Sequence, residues 1–176
     1  MVASYLNDGS HRLARRPLKP WQMRLMLNWF PPLLFQRIKV MSISDDFLNV
    51  HMRARKSIWN RNLNGTIFGG TISSAADPTF PVMYWQALEH RGMALQSWLM
   101  AANARFLKPG AAHLDFHFRL SSDDIDSAQT ELQERGKAVR THEVQALDRD
   151  GQVCAEFELV TYLRLVRAGD KGLSGF

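Results

Sequence analysis

Polar and apolar residues alternate most cleanly in two stretches. Leu48, Val50, Met52 and Ala54 interleave with Asn49, His51, Arg53 and Arg55, and Leu114, Phe116, Phe118 and Leu120 interleave with His113, Asp115, His117 and Arg119. A period of two is that of a strand with one buried face, so strands are predicted over Phe47 to Lys56 and Ala112 to Leu120. Four more apolar stretches join them: Phe35 to Met41, broken off at Ser44-Asp45-Asp46; Ala94 to Phe106, ended by Lys108-Pro109-Gly110; Lys137 to Leu147; and Gln152 to Arg164. The last two flank Asp148-Arg149-Asp150-Gly151, which reads as a hairpin turn. Val153, Ala155, Phe157, Leu159, Thr161 and Leu163 then share one mostly apolar face.

Three segments carry helical patterns instead. Trp21 to Phe30 is apolar nearly all round, with Pro20 suited to its first position and Pro31-Pro32 to its end. Such a segment must be covered: it either lies in a membrane interface, flanked as it is by Trp and Arg, or packs on its own domain or a second subunit, and its shortness favours packing. A central, buried helix runs from the glycine pair Gly69-Gly70 through Met83, Tyr84, Ala87 and Leu88 to about Glu89, punctuated by Gly92. Ser121-Ser122-Asp123-Asp124 reads as a capping box for a short surface helix ending at Gly136. The order is strand pair, buried helix, two strands, short helix, two strands. Direct antiparallel connections and a single apolar helix predict an α+β domain, one curved antiparallel sheet wrapped around one long central helix. The expected organisation is an N-terminal arm and short apolar helix over residues 1–34, the main domain over 35–166, and a flexible tail over 167–176.

Composition narrows the function classes. With 176 residues, 45% hydrophobic and 22% charged, the chain suits one globular domain plus an extension. Its single cysteine, Cys154, leaves no intrachain disulfide, and with no C-x-x-C or His pair there is no zinc pattern. His113 and His117 are four apart, a metal spacing on a helix, but on a strand they stand about 13 Å apart, so no metal site is expected. Neither a signal peptide nor a transmembrane segment is apparent, which makes a soluble, cytoplasmic protein the expectation. The net charge of +5 and pI of about 9.7 attract anions. Without a zinc finger, an RNA-binding signature or a long basic block, that charge favours a phosphate-bearing small molecule over nucleic acid. Arg53, Arg55, Lys56 and Arg61 either meet such a ligand or form a solvated strand face.

The chemistry concentrates in Asn62-Leu-Asn-Gly-Thr-Ile-Phe-Gly-Gly-Thr-Ile-Ser-Ser-Ala-Ala-Asp-Pro78. A glycine pair lets another group approach the backbone, and the first amides of a helix, lacking internal partners, suit a developing oxyanion. Asp77 follows Gly70 by two turns, about 10 Å along the axis and on the same face. It is either a reactive carboxylate or a cap for a helix beginning at Pro78.

This pattern resembles the hotdog fold, and Asn62 to Asp77 resembles the motif of phenylacetate-pathway type acyl-CoA thioesterases, in which an Asn precedes His-Gly-Gly by six residues and an Asp follows the His by nine. Asn62, Phe68-Gly69-Gly70 and Asp77 keep both spacings, with Phe68 standing where that family has histidine. Gly65-Thr-Ile-Phe-Gly-Gly70, Ala75-Ala-Asp-Pro78, Arg105-Phe-Leu-Lys-Pro109 and Tyr162-Leu-Arg164 look closer still to a widespread bacterial branch of hotdog proteins. The resemblance covers about residues 35–165. It implies a homodimer or dimer of dimers that hydrolyses an acyl-CoA or acyl-carrier thioester, with coenzyme A part of the substrate and no separate cofactor. The Gly70 amide, beside Gly69, would hold the thioester carbonyl; Asp77 of the other subunit would attack it or activate water; Asn62 would position water or carbonyl. Phe68, Tyr84 and Trp98, with Met83 and Trp85, are candidates for acyl contacts, and Arg53 and Arg55 for substrate phosphate. The alternative is a non-catalytic acyl-ligand-binding protein in which Asp77 is a structural helix cap. Hydration or dehydration of a thioester would want a histidine beside the central helix, and His90 lies at its far end.

Overall fold

The computed structural model describes residues 17–166; most of the predicted N-terminal arm and the predicted C-terminal tail lie outside the described residues. The elements run α1 (Pro20–Trp29), α2 (Pro31–Phe35), β1 (Ile38–Ile43), β2 (Asn49–Ala54), α3 (Gly69–Ala76), α4 (Thr79–Glu89), β3 (Leu95–Phe106), β4 (Leu114–Arg119), α5 (Ser122–Arg135), β5 (Lys137–Leu147) and β6 (Val153–Leu165). All six strands join one antiparallel sheet in the order β1-β2-β4-β5-β6-β3. Its inner face supplies Met52, Phe116, Phe118, Phe157, Leu159 and Leu163, which close over Ile72, Phe80, Met83, Tyr84 and Leu88 of the central helices. The predicted α+β architecture is the one observed.

Three local features depart from the pattern reading. The central helix is two pieces. Asp77 ends α3 and Pro78 opens α4, because Pro78 and Pro81 bring no N–H to the helical ladder. Pro31-Pro32 does not simply stop α1; the two prolines occupy the first turn of α2, where a missing N–H costs nothing, so Phe35 is helical rather than part of the first strand. The helix after Ser121 is not short but 14 residues long. Its capping box forms as the sequence implies, with Asp124 N–H donating to Ser121 Oγ at 3.1 Å and Ser121 N–H to Asp124 Oδ2 at 2.8 Å, and Gly136 closes it at φ 72°.

The two sheet edges are treated differently. Along β1, Asn28 of α1 accepts from the Val40 amide at 2.8 Å and donates to the Val40 carbonyl at 3.1 Å, while Arg24 donates to the Met41 carbonyl. A side chain that satisfies both backbone groups of an edge residue blocks further strand pairing there. The other edge, β3, is 12 residues long and mostly exposed.

The chain enters α1 over the far end of α4. Gln86 Oε1 accepts from the Leu18 amide at 2.8 Å, and His90 Nε2 lies 3.1 Å from the Leu18 carbonyl. Glu89, beside them, is only 6% exposed, and its Oε1 has no hydrogen-bond partner among the described residues. Burial pushes its carboxyl up to about 7 from an ordinary 4.5, against a hydrogen bond from Trp85 that lowers it. A raised folded-state pKa favours the protonated form, so this contribution to stability is complete below pH 4.5 and is lost as pH rises to about 7, a change on the order of 3 kcal/mol. Glu89→Gln, which keeps the shape without the charge, is expected to raise the urea midpoint at pH 8 and to leave it nearly unchanged at pH 4. Parallel urea titrations at the two pH values check this.

Candidate active site

The loop between β2 and α3 is held by Asn60, a residue the pattern analysis passed over. It is 4% exposed; its Oδ1 accepts from the Ser57 amide at 2.8 Å and its Nδ2 donates to the carbonyls of Gln36 and Arg55. Its own carbonyl accepts from the Phe68 amide at 2.7 Å, and the Ile67 amide bonds to the Gly110 carbonyl at 2.9 Å. These bonds aim the chain into α3 at a fixed angle. Between them Asn62 and Thr66 close a small turn, with Gly65 at φ 75°. Asn62 Oδ1 accepts from the Asn64 and Thr66 amides and its Nδ2 donates to Thr66 Oγ1 at 2.9 Å. The Asn62 amide thus shapes the turn first, and one of its Nδ2 hydrogens makes no protein hydrogen bond among the described residues.

At the start of α3 the Thr71 and Ile72 amides both turn back to the Phe68 carbonyl. The Gly69 and Gly70 amides donate to no protein acceptor among the described residues. They stand at the positive end of α3, half-exposed, beside a cleft of about 330 Å³ whose lining includes Asn62, Thr66, Gly69, Phe106, Lys108 and Gly110. A side chain at Gly70 would drive its Cβ into the Phe68 ring, while one at Gly69 would meet Phe106 at 3.6 Å. Glycine at 70 therefore lets Phe68 lie close against the helix backbone next to the free amides.

Asp77 closes the other end of α3. Its own amide bonds to the Ser73 carbonyl, as in an ordinary helix end. Its carboxylate accepts no hydrogen bond among the described residues, and the N-cap of α4 is Pro78, which receives no side-chain cap. The Asp77 side chain therefore does not cap α4, and the residue stands instead at the C-cap of α3. Asp77 is exposed in the single chain, yet the protein around it desolvates the carboxylate enough to raise its pKa above the ordinary carboxylate value. A carboxylate with a raised pKa and no structural partner is available for proton transfer.

The remaining sequence candidates fall elsewhere. Tyr84 is fully buried, its hydroxyl 2.8 Å from His142 Nε2, and belongs to the core between α4 and β5. Trp98 lies on the outer face of the sheet against Tyr162, with ring centroids 4.6 Å apart. Arg53 also faces outward and is committed to Asp115, through Nε at 2.7 Å and Nη2 at 3.0 Å. His51 shares that carboxylate at 2.6 Å and stacks on His117. Arg55, exposed at the end of β2, makes no side-chain hydrogen bond among the described residues. Asn62, Phe68, Gly69 and Gly70 are brought together, with Asp77 two turns along the same helix. Phe106 and Lys108 join them at the cleft; the sequence reading does not single them out, although both lie inside the Arg105 to Pro109 motif. Among the described residues no three His, Cys, Asp or Glu side chains are grouped to hold a metal ion, and no helix is long and apolar enough to cross a membrane.

With this geometry in hand, residues 20–163 match the family described as a domain of unknown function, DUF4442. The chain belongs to the DUF4442 family. Its fold is the hotdog fold of solved thioesterase structures. A Pseudomonas aeruginosa protein of unknown function, described as a probable thioesterase, superposes with a TM-score of 0.76 at 21% identity, covering 86% of this chain and 99% of that one. A Haemophilus influenzae thioesterase gives 0.64 at 11% identity over 89% and 97% of the two chains. The Escherichia coli PaaI protein of the phenylacetic acid degradation operon gives 0.57 at 16%, over 84% and 94%. No match is found among curated proteins. At these identities the shared property is the fold, in which this DUF4442 chain presents the glycine pair, the cleft and Asp77 described above.

Proposed function

We propose that the protein is a thioester hydrolase acting on an acyl-CoA or acyl-carrier substrate as a homodimer. The observation that carries this reading is the pair of uncommitted Gly69 and Gly70 amides at the start of α3, with Gly69 lining a cleft beside the exposed edge of β3. A thioester carbonyl gains negative charge when attacked, and amides already aimed at that oxygen stabilise it by about 3–4 kcal/mol. Asp77 takes a proton from water as the water oxygen bonds to the carbonyl carbon, the C–S bond breaks, and that proton passes to the departing sulfur, so that a carboxylic acid and a free thiol leave. If Asp77 attacks the carbonyl itself, the thiol leaves with a proton from water and the remaining hydroxide opens the acyl–Asp77 anhydride, restoring the carboxylate. Phe68, in the place of a histidine, offers an apolar surface for the acyl group rather than a hydrogen bond. Lys108 at the cleft rim, more than the outward-facing Arg53, is placed to meet a phosphate of the substrate.

A second copy is part of this reading. Gly70 and Asp77 lie seven residues apart, about 10 Å of helical rise, wider than the roughly 6 Å that separates an oxyanion donor from an attacking atom across one carbonyl. Pairing of two β3 edges would set the glycine pair of one subunit against Asp77 of the other. The test is thiol release from a panel of short, long and aromatic acyl-CoAs by the intact protein and by its Asp77→Ala variant. Binding of these thioesters without any thiol release would make the protein a carrier rather than an enzyme.

A further inference from the structure

Met23 and Leu27 are the α1 side chains buried against the domain. Trp21, Leu25, Met26 and Trp29, on the opposite side, are 62%, 53%, 45% and 69% exposed, and with Gln22 they rim one continuous depression. Phe30 and, at the end of α2, Phe35 extend the apolar surface. A helix already pinned by Asn28 and Arg24 to β1 has no fold-related reason to present two tryptophans to water.

Charge is distributed to match. From Gly9 to Ser44 the chain holds seven Lys and Arg and no Asp or Glu, whereas the remainder holds 15 against 17. The whole positive excess of the protein therefore sits in the segment that carries Trp21 and Trp29, with Lys19, Arg24, Arg37 and Lys39 near them in sequence. An isologous contact between two such faces would bring like charges together. Tryptophans that straddle an apolar helix face within a basic, acid-free segment instead fit the boundary between headgroups and acyl chains of an anionic bilayer.

We propose that α1, with the basic residues around it, docks the protein on the surface of anionic lipid membranes, lying in the interface without spanning it. The proposal is independent of the thioester reading, since α1 lies on β1, at the opposite sheet edge from β3. In flotation with vesicles of equal parts phosphatidylglycerol and phosphatidylcholine, the full chain is expected to rise with the lipid, and to remain behind with phosphatidylcholine alone or in high salt. Trp21→Ser with Trp29→Ser, both exposed and so compatible with the fold, is expected to lower partitioning by at least about tenfold, with an unchanged melting temperature. Replacing the exposed Lys19, Arg37 and Lys39 by Gln is expected to weaken binding to the anionic vesicles. The proposal is overturned if the intact chain stays in solution, if the double tryptophan variant floats as well as the parent, or if that variant instead halves the mass of an assembly in light scattering, which would assign the face to a second copy.

Discussion

Asp77→Ala is expected to lower kcat/KM for thiol release by about 10²- to 10⁴-fold while changing stability by no more than about 0.5 kcal/mol. The two halves of this expectation rest on different observations. The carboxylate makes no hydrogen bond among the described residues and caps no helix, so its removal deletes no structural contact. Its desolvation raises its pKa. The charged form therefore opposes folding slightly once the pH exceeds that pKa, and the alanine variant is at neutral pH as stable as the parent or marginally more so. In the parent, kcat/KM is expected to rise with pH as Asp77 loses its proton, with the acid limb above the ordinary carboxylate pKa, and the variant's residual rate is expected to lack that limb. A pH profile of turnover beside a thermal melt measures both.

Ala102→Lys with Ala104→Lys is expected to convert the proposed dimer to a monomer and to abolish the proposed turnover with it. These alanines pair with Leu159 and Phe157 of β6 and so face inward on the exposed edge strand, in line with Phe106. Small side chains there leave backbone groups accessible and cost nothing in the single chain; lysines on an edge strand are a common device against pairing. Because Ala102 is exposed and Ala104 only half-buried, the isolated subunit should keep its fold. Light scattering together with the thiol assay reads the outcome. An active monomer would show that each chain carries a complete site.

How much of this could be read from the chain alone depends on whether a feature is local. Alternation in β2 and β4, the turn at Asp148–Gly151 and the box at Ser121 are set by neighbours in sequence, and each appears where the pattern puts it. The glycine pair also speaks locally, because free amides at a helix start need no distant partner. Arg53 was ambiguous because what occupies it, Asp115, is 62 residues away across the sheet. Trp98, expected at an acyl contact, lies on the outer face of the sheet for a different reason. In a regular strand it would share a face with Phe106, but the bulge between Leu99 and Ala101 sends Trp98 outward and Phe106 inward. Tyr84 lies on the central helix as expected, yet its face is chosen by His142 on β5, which periodicity does not reveal. Asp77 sits between: its spacing from Gly70 was legible, whereas the absence of a cap emerged only once Pro78 was seen to take the N-cap of α4.

The most direct measurement mixes two inactive variants. Asp77→Ala removes the carboxylate, and Gly69→Pro removes one of the two free amide hydrogens at the first position of α3, where proline is tolerated and the added Cβ meets Phe106 only at ordinary contact distance. Coexpressed with distinct tags, they are expected to form mixed dimers. If each site takes its glycine pair from one subunit and Asp77 from the other, a mixed dimer has one intact site of its two, and a random mixture regains about a quarter of the parent's thiol release. If mixed dimers are confirmed by tag capture and release no thiol, the shared site is contradicted.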